Sequence, residues 1–135
     1  MIALLACVTG PGDSELPEAD TAEFYAEVEP ELGASCANPS CHGSVDRPYE
    51  VYAVHFHRAD PDDTYVDAAL SDEEHRLNFD RSRAFLSASD PAQSLLLLKP
   101  LDPAEGGLVH GEELVVYLDR SDPGWMALAD WAGVE

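Results

Sequence analysis

Cys36-Ala37-Asn38-Pro39-Ser40-Cys41-His42-Gly43 places two thiols and an imidazole within seven residues of a chain that has one further cysteine. Haem attachment uses this set of groups: two cysteines form thioethers with the porphyrin vinyls, and the adjacent histidine becomes the proximal iron ligand, as in C-x-x-C-H. The spacing here is C-x-x-x-x-C-H, two residues longer. An outward turn at Asn38-Pro39 would leave the thiols near their usual positions. Two other readings stay open on spacing alone. One is a Cys36 to Cys41 disulfide closing a small loop, as an oxidising compartment favours. The other is a zinc site built from Cys36, Cys41, His42 and one of His55, His57 or His110.

The flanking sequence predicts a mainly α chain of about four short helices joined by long loops. Asp20 and Glu23 have capping-box spacing, and Phe24, Tyr25 and Val28 follow at helical intervals; Pro30 is expected to end or kink that helix before Glu31 to Ser35 leads into Cys36. Tyr49 to Phe56 alternates as an extended segment, which would put His55 and His57 on one strand face, and Asp60-Pro61-Asp62-Asp63 is a turn. Ser71 and Glu74 open a second helix to about Ala88, with Leu77, Ala84 and Phe85 as its buried stripe. Asp90-Pro91 starts a third, carrying Leu95 to Leu98 until Pro100 stops it. A strand is expected at Leu114 to Leu118, then a last helix from Asp122-Pro123 to Gly133 with Trp125, Leu128, Ala129 and Ala132 inward. Loops this long are easier to understand if they wrap a cofactor.

The chain has 135 residues and 45% hydrophobic content, which fits one domain at 20–135. Lysine plus arginine number 7 against 27 aspartate plus glutamate, a formal charge of -20, so nucleic acid and anionic lipid headgroups would be repelled and basic partner surfaces attracted. No run of 18 or more apolar residues is present. Residues 1–19 read as a stub and tether: Leu4-Leu5-Ala6-Cys7 resembles a bacterial lipobox with Cys7 as the acylated residue, and Val8 to Ala19 is polar and turn-rich. Membrane attachment is expected only through that lipid.

Beyond the cysteine motif, the chain resembles a family of small bacterial monohaem c-type cytochromes, many of them lipoproteins. The resemblance covers most of Phe24 to Gly133. It rests on Phe24-Tyr25 and Val28-Glu29-Pro30, Cys41-His42-Gly43, Leu77-Asn78-Phe79 and Arg83-Ala84-Phe85, and Asp90-Pro91-Ala92 with Ser94-Leu95-Leu96 and Lys99-Pro100. Further along it rests on Gly106-Gly107 with His110-Gly111, and Asp122-Pro123 with Leu128 and Trp131-Ala132-Gly133. Where the family usually has further glycines after the position of His110, this chain has Glu112 and Glu113.

The resemblance implies a small cytochrome c-like domain with one haem c, bound covalently at Cys36 and Cys41, with His42 as proximal ligand and His110 as distal ligand. Competing distal candidates are Met126, His55, His57 and His75. A bis-histidine iron has no open position for a substrate, so the implied role is electron transfer with redox partner proteins in the periplasm or at the cell surface, and no enzymatic activity. The alternative is a non-redox binding module stapled by the Cys36 to Cys41 disulfide or holding zinc.

Other signals are set aside. A calcium loop starting at Asp60 would need glycine where Tyr65 stands and glutamate where Ser71 stands. No G-x-S-x-G, P-loop or dinucleotide fingerprint is present.

Overall fold

The fold begins at Asp20, whose side chain accepts from the Glu23 N–H at 2.7 Å and caps the first helix. The computed structural model describes residues 16–111 and 114–135; Cys7, Glu112 and Glu113 lie outside them. Helix α1 (Thr21–Glu23) passes through a π-helical stretch, Phe24–Val28, directly into α2 (Glu29–Ser35). Pro30 therefore does not end the helix. It has no N–H to give and its ring crowds the carbonyl four residues back, and just ahead of it the ladder widens so that the Glu29 N–H reaches Phe24 O. The continuous helix presents Phe24, Val28 and Leu32 to the core.

After the cysteine loop Tyr49, Val51, Tyr52 and Ala53 are buried, and the chain then turns through His55 at φ 67°. That turn separates the two histidines expected on one strand face. His55 lies 3.5 Å from exposed Asp67, whereas His57 Nε2 lies 2.6 Å from Glu50.

Helix α3 (Asp72–Arg83) has the full capping box between Ser71 and Glu74. It stops at Arg83, with Ala84 as its cap, rather than near Ala88. Beyond that point neighbouring residues claim the backbone: the Phe85 carbonyl accepts from Leu96 N–H, and the Ser87 N–H donates to Ser94 Oγ. The buried face also differs from the expected stripe, since Leu77 and Phe85 are half-buried and Ala84 is exposed. Glu74, Asn78, Phe79 and Ser82 are buried instead.

Those polar residues are tolerated because each is bonded. Asn78 accepts from Tyr52 N–H at 2.9 Å and donates to Tyr52 O at 2.9 Å and Glu29 Oε1 at 2.8 Å. Asn78→Ala would strand all three partners in a dry interior. We expect a loss of about 2–4 kcal/mol, read as a lower urea midpoint with the slope unchanged.

A 3-10 turn (Pro91–Gln93) leads into the short α4 (Leu95–Leu98), and α5 (Pro123–Ala132) closes the fold, with Asp122 capping Gly124 N–H. Trp125, Leu128, Ala129 and Trp131 of α5 are buried, and Ala132 is half-buried. The Trp131 indole donates to Asp20 O at 2.9 Å, tying α5 to the start of α1.

The expected strand at Leu114–Leu118 does not form. There is a single parallel bridge, Leu101 to Tyr117, and no strand among the described residues. Val116 and Tyr117 both donate to Pro100 O, and a proline at that position has no N–H with which to extend a ladder. The architecture is helical with long loops.

Candidate functional site

Cys36 is the C-cap of α2, and from it the chain folds back on itself. The His42 N–H donates to Cys36 O at 3.0 Å, while the Asn38 carbonyl accepts from both Cys41 N–H (2.8 Å) and Gly43 N–H (3.0 Å). Asn38 Oδ1 takes the Ser40 N–H and hydroxyl, a local turn that suits asparagine. Ala37 is buried beneath it, and Asn38, Pro39 and Ser40 project into solvent. The two extra residues of the motif are thus an outward bulge. Cys36 and Cys41 are free thiols. Burial, then Glu31 and Cys41, pushes the Cys36 thiol up to about 12, so it is fully protonated at neutral pH.

His42 Nδ1 lies 2.7 Å from Tyr49 O. A carbonyl only accepts, so Nδ1 carries a proton; in the neutral ring this leaves the lone pair on Nε2, the arrangement that a metal-binding imidazole needs. Tyr49 is itself held from α3, its hydroxyl 2.8 Å from Ser82 Oγ.

His110 arrives on the loop after the 3-10 turn Pro103–Glu105. Gly107 N–H donates to Asp102 O and Leu108 N–H to Leu98 O at 2.7 Å, which pins the loop against α4. A side chain at Gly107 would overlap the Leu101 carbonyl, so only glycine allows this approach. The rings of His42 and His110 lie 5.7 Å apart, centre to centre, with their planes 19° from parallel. His110 Nδ1 is buried with no hydrogen-bond partner among the described residues. Burial, then His42 and Lys99, lowers its pKa and keeps the ring neutral.

Two clefts meet at this histidine pair. One, of about 200 Å³, is almost wholly apolar and runs past Cys36, Leu32, Phe85, Leu95, Leu96 and Leu128, with Lys99 at its edge. The other, of about 690 Å³, contains Cys41, Ser40, Arg47 and Leu114. Each cysteine therefore opens on a different cleft, and His42 and His110 line both.

The donor set fits a c-type haem. Two free thiols flank an imidazole whose Nε2 is available, and a second imidazole carries an unpartnered buried nitrogen.

The zinc reading lacks such support. No group of three or more metal-binding side chains gathers among the described residues. The other distal candidates are placed elsewhere: Met126 is 47% exposed, His55 faces Asp67, His57 faces Glu50, and His75 Nδ1 lies 2.5 Å from Glu29.

Tyr49, Arg47 and Lys99 belong to the site although the motif does not mark them. The signal for the two cations was their rarity in so acidic a chain. No family model, curated protein or solved structure matches the chain. The class defined by its structure is a small α domain with long loops and a paired-histidine cleft.

Proposed function

We propose that the chain is an extracytoplasmic electron-transfer protein carrying one covalently attached c-type haem, with Cys36 and Cys41 as thioether residues, His42 as proximal ligand and His110 as distal ligand. The observation that carries this reading is the near-parallel His42 and His110 pair, 5.7 Å apart between two clefts that each contain one free cysteine. When bound, the haem supplies a one-electron couple at its iron. The chain's own residues hold and tune it. Tyr49 O fixes the His42 tautomer, and the α4 contact positions the His110 loop. Leu32, Leu96 and Leu128 keep water from the Cys36 cleft.

With His42 and His110 both holding it, the iron would have no open position for a substrate, and the chemistry it would supply is electron transfer. The acidic surface suits docking onto basic redox partners, with a rate that falls as salt rises. Export and anchoring through Cys7 belong to the same proposal.

The test is the intact mass and alkaline pyridine spectrum of protein exported with the cytochrome c maturation machinery. The expected result is the mass of one haem on the wild type and none on Cys36→Ala/Cys41→Ala. A colourless wild type of bare polypeptide mass, shifting only on reduction, would establish the disulfide-stapled module instead.

A further inference from the structure

Glu31 stands on α2, the helix that Cys36 caps. Its carboxylate is half-buried, and one oxygen, Oε1, accepts from two hydroxyls: Ser35 at 2.5 Å and Tyr117 at 2.8 Å. Ser35 directly precedes Cys36, and Tyr117 is 2% exposed on the segment that meets Pro100. Burial, then Cys36 and the bond to Glu31, push the Tyr117 phenol up, so it donates without ionising.

A third element closes on the same carboxylate. Gly124 is the second residue of α5, and a β-carbon there would overlap the Glu31 carboxylate and the Tyr117 ring, so the group is seated against bare backbone in the first turn of that helix. The positive end of a helix dipole favours an anion at this place. No cation shares it, since every ion pair among the described residues is made by a different carboxylate. The charge reaches Cys36, where it is the largest influence after burial that keeps the thiol protonated.

An anion fixed there opposes reduction of a group bound at Cys36. Reduction adds one electron, delivered by the redox partner, and a partly buried charge is screened less than one in water. Resting on the reading above, we infer that Glu31 lowers the reduction potential of the haem, with Ser35, Tyr117 and Gly124 as the residues that position its carboxylate.

Both hydroxyl bonds fall on Oε1, so Glu31→Gln removes the charge and can keep them. Glu31→Asp keeps the charge, and Glu27→Gln makes the same change in net charge at an exposed position on the same continuous helix. Each is exported with the maturation machinery beside the wild type. Intact mass reports covalent haem, circular dichroism reports the fold, and redox titration reports the potential.

The expected result is haem on every protein, with a raised potential in Glu31→Gln alone. A Glu31→Gln potential matching that of Glu27→Gln overturns the assignment and leaves the cytochrome reading standing. So does an equal rise in Glu31→Asp, because shape and not charge would then be the cause. Should Glu31→Gln lose its fold, Glu31→Met, which removes the same charge, is read in its place; loss of fold there too overturns the assignment in favour of a structural role. A wild type without haem overturns both readings.

Discussion

Glu74→Gln is expected to destabilise the protein by about 3–5 kcal/mol, because it breaks a buried ion pair and leaves the other charge in place. Arg58 and Glu74 are 3% and 2% exposed. Their contact is bidentate, Nε to Oε1 at 2.9 Å and a terminal nitrogen to Oε2 at 2.7 Å. Glu74 also accepts from Ala59 N–H, Ser71 N–H and the Ser71 hydroxyl, while Arg58 holds the Ala68 and Ala69 carbonyls. One pair thus staples the long loop to the start of α3. A glutamine amide would set its NH2 against the same donors.

The same pair predicts an acid limit. Burial by itself would raise the Glu74 pKa, but the Arg58 bond and then the Ser71 and Ala59 N–H groups outweigh it and bring the carboxyl down to about 2, from 4.5 in the unfolded chain. Because the folded value is the lower one, this stabilisation is complete above pH 4.5 and disappears as pH falls towards 2. The difference amounts to about 3 kcal/mol. Urea unfolding of the wild type at a series of pH values should show that loss, and Glu74→Gln should flatten the dependence. A variant as stable as the wild type at pH 7 would refute the staple.

Gly43→Ala is the second large effect. A β-carbon at Gly43 would overlap the Ala37 carbonyl, a backbone group, so the cysteine loop cannot close around it as it stands. Forced packing of this kind costs about 1–3 kcal/mol, with more where backbone must move. The atoms that would move carry the His42 N–H to Cys36 O bond and the Gly43 N–H to Asn38 O bond. We expect lowered stability and, on the proposed cytochrome reading, loss of covalent haem, measured by denaturant titration and intact mass on the same preparation. Gly133→Ala is a useful contrast. Gly133 has φ 80°, so alanine there is strained, but nothing stands near its added carbon and the cysteine loop should be untouched.

Much of the helical layout is legible in local chemistry. Asp20, Ser71 and Asp122 each cap the helix that their spacing announces, and Gly133 ends the last one. The bulge at Asn38-Pro39 is legible for the same reason, since an asparagine that bonds its own following backbone makes a turn with few distant partners. The buried face of α3 is not. Apolar periodicity pointed to Leu77, Ala84 and Phe85, and nothing local reveals that Asn78 will meet Tyr52 and Glu29, more than twenty residues away in either case. The expected strand at Leu114–Leu118 fails similarly, because the backbone that Val116 and Tyr117 meet begins with Pro100, which has no N–H to extend a ladder.

For the candidate site, the sequence by itself determined which groups are available: Cys36, Cys41 and His42 are neighbours along the chain, and their proximity is covalent. The choice of His110 over His55, His57, His75 and Met126 came with the resemblance. Tertiary structure alone decided that His110 stands opposite His42, that Tyr49 fixes the His42 proton, and that the other histidines are taken by Asp67, Glu50 and Glu29. It also decided which clefts Lys99 and Arg47 line. The physical reason is range: caps and turns are settled within a few residues, whereas ring pairs, buried ion pairs and clefts exist only once segments far apart in the chain pack together.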